Sequence, residues 1–121
     1  MKELIISKEL IKNVLVEETE NLSEDFSFYI DEDYIVFRDE CETLFDYNIY
    51  KFAFKCKEWI INKEYHINTS ENRINNYIYL YKMIKSDFGY EIDKSNGVQF
   101  DSKGYINNLF EACKWILERN K

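Results

Sequence analysis

The chain has 121 residues, of which 45% are apolar, 17% aromatic and 32% charged, and it contains no proline. This length and apolar content predict one folded domain without a flexible linker, and they exclude a largely disordered chain. No stretch approaches the roughly 18 consecutive apolar residues of a membrane span. A formal net charge of −7 disfavours nucleic acid and anionic membrane as direct partners, because both are polyanions.

The cysteines and the N-terminus indicate a cytoplasmic protein. Cys41, Cys56 and Cys113 are an odd number of cysteines without close spacing, which argues against a secreted disulfide framework and favours a reducing compartment. The first residues hold only a short apolar run, at 4–6, before charged residues follow. No signal peptide is therefore expected.

The first predicted element is a helix over residues 8–20. Ser7 is a suitable N-cap, and apolar residues then recur on one helical face, at Leu10, Ile11, Val14 and Leu15.

A β-hairpin is predicted next, with strands 26–30 and 34–38. Phe26, Phe28 and Ile30 alternate with polar residues, so these three side chains are expected to face the core. The short polar run Asp31-Glu32-Asp33 would form the turn.

The residues from Glu17 to Asp46, here called the acidic segment, carry most of the acidity. They hold twelve acids and a single base, Arg38, a net charge of −11, whereas the rest of the chain has a net charge of +4. A charge run is usually a solvated face that maintains solubility. This run is strongly unbalanced, however, and Tyr29, Tyr34 and Tyr47 lie within it, a combination common at interaction surfaces.

The middle of the chain predicts a buried helix over about 43–63. Its apolar residues repeat at steps of three and four, and Tyr50, Phe54 and Ile61 widen the apolar stripe. Residues 64–71 are expected to connect this helix to the next one.

Residues 72–86 fit a helix, although the alternating run 77–81 is also typical of a strand. A second hairpin is expected from strands 88–92 and 98–100, with residues 93–97 and their Asn-Gly pair as the turn. A last amphipathic helix runs from about Ile106 to 119.

The order helix–hairpin–helix thus occurs twice and predicts an α+β fold, with a small antiparallel sheet packed against helices in one domain. A faint internal duplication is also possible, over residues 7–63 and 70–121. The hairpins match at an offset of 62 residues and the final helices at an offset of 57, where Cys56 aligns with Cys113.

No motif for catalysis or a cofactor is found. The three glycines have no phosphate-loop spacing, and one histidine with three scattered cysteines gives no zinc pattern. The run from Asp31 begins like a calcium loop, but Ile35 and Val36 stand where an oxygen ligand and a glycine are needed. Cys56 and Cys113 lie on apolar stripes, so both are expected in the core. We therefore expect no enzyme activity, no cofactor and no metal.

The predicted function is to bind a basic protein, with a nuclease or toxin as the model partner, and to occlude it electrostatically. Toxin-immunity proteins and phage-borne inhibitors of nucleases are analogous in charge and size. The expected partner-binding residues belong to the acidic segment: Asp31, Glu32, Asp33, Tyr34, Asp39, Glu40, Glu42 and Asp46. Two alternatives stay open: a small enzyme that uses surface carboxylates, and an assembly subunit that binds through aromatic faces such as Tyr77, Tyr79 and Tyr81.

Overall fold

The computed structural model describes residues 6–39, 42–71, 76–101 and 104–119. The elements within them are, in chain order, α1 (Lys8–Val14), α2 (Val16–Thr19), β1 (Ser27–Asp31), β2 (Tyr34–Asp39), β3 (Glu42–Asn48), α3 (Ile49–Asn62), β4 (Tyr65–Glu71), β5 (Asn76–Ser86), β6 (Gly89–Phe100) and α4 (Tyr105–Arg119). The strands form two antiparallel sheets, sheet 1 with order β1-β2-β3 and sheet 2 with order β4-β5-β6. The predicted α+β class is confirmed.

The chain divides into two compact units, residues 1–55 and 56–121, and the division falls inside α3. The expectation of one domain without an internal boundary stays a prediction. Among the described residues, no helix combines the length and the apolar character needed to cross a bilayer.

The first predicted helix is interrupted at Leu15. Ser7 caps α1 as expected, since its Oγ accepts a hydrogen bond from the Leu10 backbone N–H at 3.1 Å. Leu15 then leaves the helical conformation, with φ −99° and ψ 59°. The β-branched residues on either side, Val14 and Val16, lower the helix propensity at this point.

The first hairpin is confirmed, and β2 lies at the centre of sheet 1. Residues directly opposite in an antiparallel ladder share a face. One face carries the fully buried side chains of Ile35 and Phe37. The Phe37 ring stacks on Phe45 of β3 with the centroids 4.6 Å apart, and the Phe26 ring lies 6.0 Å away.

The predicted burial of the first strand is only partly right. Phe26 is buried, and Phe28 and Ile30 lie opposite the core residues Phe37 and Ile35. Phe28 is only half-buried, however, and Ile30 is 37% exposed. The reason is that β1 is an edge strand, which has a neighbour on one side only.

The predicted helix 43–63 begins too early. Residues 42–48 instead form β3, paired with β2. The helix starts only after Asn48, whose Oδ1 accepts hydrogen bonds from the backbone N–H groups of Tyr50 and Lys51 at 2.9 and 3.2 Å. An asparagine N-cap therefore sets the start of α3.

The prediction that α3 is largely buried is wrong. Ile49, Phe52, Cys56 and Ile60 are completely buried, as one helical face requires. The residues expected to widen this face are solvent-exposed instead: Tyr50 by 52%, Phe54 by 64% and Ile61 by 53%.

Two of the predictions for the second half are also wrong. Residues 65–71, expected as a connection, form β4, and residues 76–86, expected first as a helix, form β5. The alternative strand interpretation of 77–81 is the correct one. Ile78 and Leu80 are buried and the tyrosines that alternate with them are half-buried, which is the alternation of a strand.

The second hairpin turns at Asp87–Phe88 rather than at 93–97. Two hydrogen bonds close this turn, one from the Phe88 backbone N–H to Ser86 Oγ (3.3 Å) and one from Ser86 Oγ to the Gly89 carbonyl oxygen (3.1 Å). Gly89 allows the turn with a φ of 112°. Lys82 pairs with Asp93 and Leu80 with Val98. Residues 94–97 therefore bulge opposite Tyr81 within the single strand β6.

The last helix is confirmed as α4, which packs on sheet 2. Its buried face includes Leu109, Phe110, Cys113 and Ile116, and the helix contacts β5 and β6.

The duplication is not confirmed. An offset of 62 residues aligns the two strands of the first hairpin with the single bulged strand β6, so the hairpin matches are not structural equivalents. The element order does repeat, because a three-stranded antiparallel meander precedes both α3 and α4.

Candidate functional site

The net negative charge of the chain comes from the first unit. Residues 1–55 carry 14 acids and 6 bases, a net charge of −8, whereas residues 56–121 carry 9 acids and 10 bases, a net charge of +1. The contrast between the two halves therefore follows a structural division as well as a sequence pattern.

The tip of the first hairpin is an exposed acidic turn. Asp31, Glu32 and Asp33 are all solvent-exposed, and Asp31 pairs with Tyr34 across a two-residue turn. Glu32 has φ 52°, a left-handed conformation that glycine adopts at less cost. No ion pair within the described residues involves these three carboxylates. The turn thus presents three charges to solvent.

Two tyrosines and a further acid extend this turn along the outer face of sheet 1. Tyr34 is 44% exposed and Tyr29 is 46% exposed. Tyr29 and Asp46 both lie opposite Val36, on the two strands that flank it. We call this surface the acidic face: Tyr29, Asp31, Glu32, Asp33, Tyr34 and Asp46.

Two further predicted residues, Asp39 and Glu42, lie at the other end of the sheet. Asp39 ends β2 and pairs with Glu42, which begins β3, and Glu40 lies outside the described residues. The six residues of β2 separate this end from the acidic turn by about 17 Å, at roughly 3.4 Å per residue. The structure therefore places the described residues of the predicted site in two clusters.

Asp39 has a structural role within its cluster. Its Oδ1 accepts a hydrogen bond from Ser23 Oγ at 2.7 Å and its Oδ2 accepts one from the Ser23 backbone N–H at 3.2 Å. Chiefly because of the Ser23 side-chain hydrogen bond, the pKa of Asp39 lies below its ordinary value. This carboxylate anchors the segment before β1 and is less available to a partner than the acidic turn.

A second carboxylate of the acidic segment is paired within the first unit. Glu18 lies 2.9 Å from the Nζ of Lys55. Burial is the largest single influence and raises the pKa of Glu18, but the hydrogen bond from Lys55, a backbone hydrogen bond and the Lys55 charge together outweigh it, so the net pKa is lowered. The same hydrogen bond raises the pKa of Lys55. Glu18 thus belongs to the packing of α2 rather than to the acidic face.

Cys56 and Cys113 are core residues, as predicted. Both are free thiols with no exposed surface. Burial raises the pKa of Cys56 well above its ordinary value, and a hydrogen bond with Cys113 adds to the rise. A thiol held neutral in this way is a poor nucleophile. Cys41 lies outside the described residues, among which no group of three or more potential metal ligands is found.

Sheet 2 carries a second surface that the sequence located only in part. Tyr77, Tyr79 and Tyr81 form a row on its outer face, and His66 of β4 extends the row. His66 was missed because residues 64–71 were interpreted as a connection. The signal that could have found it is the alternation from Tyr65 to Thr69, in which aromatic or β-branched residues alternate with His66 and Asn68.

A cavity of about 590 Å³ lies in the second unit beside His66. Its lining includes apolar and polar side chains, among them Lys57, Ile61, Glu64, His66, Met83 and Tyr90. This volume is within the range of roughly 300–1,000 Å³ that is typical of small-molecule sites.

Comparison with known proteins identifies no relative. No family model, no curated protein and no solved structure matches the chain.

Proposed function

We propose that this protein binds a basic protein partner through the acidic face of its first unit and blocks that partner by occlusion. The observation that carries the proposal is the exposed acidic turn beside two exposed tyrosines on one face of sheet 1. The first unit has a net charge of −8, which distinguishes it from the second unit. A partner that acts on nucleic acid fits best, because its cleft must be basic to hold phosphates.

The carboxylates act first, at long range. A negative field accelerates encounter with a positive cleft, and the acceleration decreases as salt screens the charges. On contact, Asp31, Glu32 and Asp33 pair with lysine and arginine side chains that otherwise bind phosphate. The left-handed Glu32 supports this assignment, since strained residues are retained where they serve a function.

The tyrosines act at short range. Tyr29 and Tyr34 are rigid and amphipathic, and aromatic side chains are frequent hot spots in protein interfaces. Their rings can also bind an arginine guanidinium through a cation–π contact while a neighbouring carboxylate pairs with it. We therefore expect the carboxylates to govern the association rate and the buried tyrosine rings to govern the dissociation rate. Blocking then resembles that by toxin-immunity proteins and phage-borne nuclease inhibitors, an analogy of charge and size.

The test compares two triple charge reversals with the same net charge. Asp31→Lys, Glu32→Lys and Asp33→Lys together change the net charge from −7 to −1. The matched control, Asp87→Lys, Glu91→Lys and Glu118→Lys, makes the same change at exposed positions of the second unit. Partners are first captured from native lysate at low salt and identified, and association rates are then measured against ionic strength.

We expect the first-unit reversal to slow association roughly tenfold or more at low salt, with the difference shrinking as salt rises. The control should differ little from the wild type. Replacing Tyr34 by Ala should mainly accelerate dissociation. If both triple variants slow association equally, net charge alone is responsible and the acidic face is only a solubility feature.

A further inference from the structure

The outer face of sheet 2 is a continuous aromatic platform. Tyr77, Tyr79 and Tyr81 point to the same side of β5, and His66 lies opposite Tyr81 on β4. Successive ring centroids along the row are 5.1, 6.1 and 6.4 Å apart, from Tyr77 to His66. These separations are those of rings in mutual contact, so the row has no gap.

The platform depends on a glycine in the neighbouring strand. Gly97 lies in the bulge of β6 opposite Tyr81, and a side chain at this position would overlap the Tyr81 ring. The absence of a Cβ lets the ring lie close to the backbone of β6. The bulge and the glycine therefore keep Tyr81 in line with the rest of the row.

Solvent reaches this face, and the described side chains on either side of Tyr79 are uncharged amides. Asn68 and Gln99, on the strands either side of Tyr79, are both exposed. The Nε2 of Gln99 donates to Asp101 Oδ2 at 2.8 Å, which orients the amide and leaves its oxygen as an acceptor. Lys82 belongs to the opposite face, where its ammonium lies 5.2 Å from the Tyr65 ring.

The aromatic row and the amides beside Tyr79 indicate which class of ligand this face binds. Single-stranded nucleic acid also stacks on aromatic rows, but its sites combine them with basic side chains that follow the phosphates, and here amides flank Tyr79 instead. A sugar ring has an apolar C–H face that stacks on an aromatic ring, and hydroxyl groups at its edge that hydrogen-bond to amides and phenols. The three tyrosines follow β5 in a line, and His66 lies beside Tyr81 at one end of that line, so the platform fits an extended chain of such rings.

We propose that the outer face of sheet 2 binds an extended, neutral, β-linked oligosaccharide that lies along His66, Tyr81, Tyr79 and Tyr77. At the His66 end the row reaches the cavity of about 590 Å³, which accepts the terminal sugar. Lys57 and Glu64, both in the lining of that cavity, offer a hydrogen-bond donor and an acceptor to its hydroxyl groups.

The test measures binding of cellohexaose to the full-length protein by isothermal titration calorimetry and by chemical-shift changes. We expect saturable binding that is insensitive to salt. Tyr79→Ala should weaken it about tenfold or more, as expected for loss of a stacked ring, whereas Tyr79→Phe should retain most of the affinity. Gly97→Ala should also weaken binding, because it displaces Tyr81 without removing any ring.

Controls separate this site from the acidic face. Tyr34→Ala removes a more exposed tyrosine from sheet 1 and should leave cellohexaose binding unchanged, as should the triple reversal of Asp31, Glu32 and Asp33. Maltohexaose, a curved α-linked chain, should bind several-fold more weakly. The proposal is overturned if cellohexaose does not bind, if maltohexaose binds equally well, if Tyr79→Ala has no effect, or if a uridine octanucleotide binds more tightly in a Tyr79-dependent way.

Discussion

The two units use the same architecture for surfaces of opposite character. Each contains a three-stranded antiparallel meander with exposed or half-exposed tyrosines on its outer face. In the first unit those tyrosines lie among carboxylates that form no ion pair with another described residue, and in the second Tyr79 lies between two amides. We propose that the charge placed around each aromatic face decides which ligand the face attracts, while the sheet beneath it determines the spacing of the side chains.

The largest effects are expected in the two cores. Loss of a buried phenylalanine should lower the free energy of unfolding by a similar amount in both units. Phe37 and Phe110 have no exposed surface, whereas Phe28 is half-buried and Phe88 is 98% exposed. Replacing Phe37 or Phe110 by Ala should lower the free energy of unfolding by about 3–5 kcal/mol. Phe28→Ala should cost about half as much, and Phe88→Ala should stay within about 0.5 kcal/mol of the wild type.

Denaturant titrations of the four variants measure these differences. If Phe28→Ala matched Phe37→Ala, the edge strand β1 would be better covered than the structure shows. A large loss from Phe88→Ala would mean that the tip of the second hairpin contacts something other than solvent.

A smaller effect is expected at the acidic turn, where folding and binding make opposite demands. Replacing Glu32, with φ 52°, by Gly relieves a left-handed conformation and should raise the free energy of unfolding by roughly 1 kcal/mol. The same change removes a carboxylate and should slow association with a basic partner. Asp33→Gly is the control, because the φ of Asp33 is not positive and glycine there only adds flexibility to the unfolded chain.

Thermal denaturation and association kinetics of Glu32→Gly and Asp33→Gly give the answer. A stabilised Glu32→Gly variant with unchanged association would remove Glu32 from the acidic face.

The smallest effect is expected at the other end of sheet 1. The pKa of Asp39 is lowered in the folded state, mainly by the Ser23 side-chain hydrogen bond. A lowered folded pKa contributes stability that is present above the unfolded pKa and is lost as the pH falls through the folded pKa. Asp39→Asn should therefore be slightly less stable than the wild type at pH 7, and this difference should disappear in strong acid.

Thermal melts at several pH values between neutrality and strong acid test the sign of this effect. A difference that grew on acidification would contradict the role of Ser23. Because Asp39 lies about 17 Å from the acidic turn by strand geometry, Asp39→Asn should leave partner association largely unchanged.

Local signals explain which parts of the fold were predictable. Ser7 caps its helix, the first hairpin alternates, and α4 carries an apolar stripe, so each was recognised from neighbouring residues alone. The run 77–81 satisfies both helical and strand periods, and pairing with β4 and β6 decides between them. Such pairings join residues far apart in the chain, which no short window of sequence contains.

The candidate site was predictable in composition but not in arrangement. The acids of residues 31–33 were found because charge is visible in sequence. The strand register decides that Tyr29 joins the acidic face. The hydrogen bond between Asp39 and Ser23 depends on the end of the sheet at which Asp39 lies. Likewise, the exposure of Tyr50 and Phe54 on α3 follows from which helical face is covered, and sequence indicates only that both are apolar.

The continuity of α3 across the division at residues 55 and 56 has a practical consequence for dissection of the molecule. A fragment that ends or begins there inherits seven residues of a fourteen-residue helix. Isolated helices shorter than roughly 12–15 residues are marginal in water, so each half would lose its ordered terminus. A split of the chain for protein complementation should therefore avoid α3. The exposed turn at Asp87–Phe88 is a better position for such a split and for an engineered protease site.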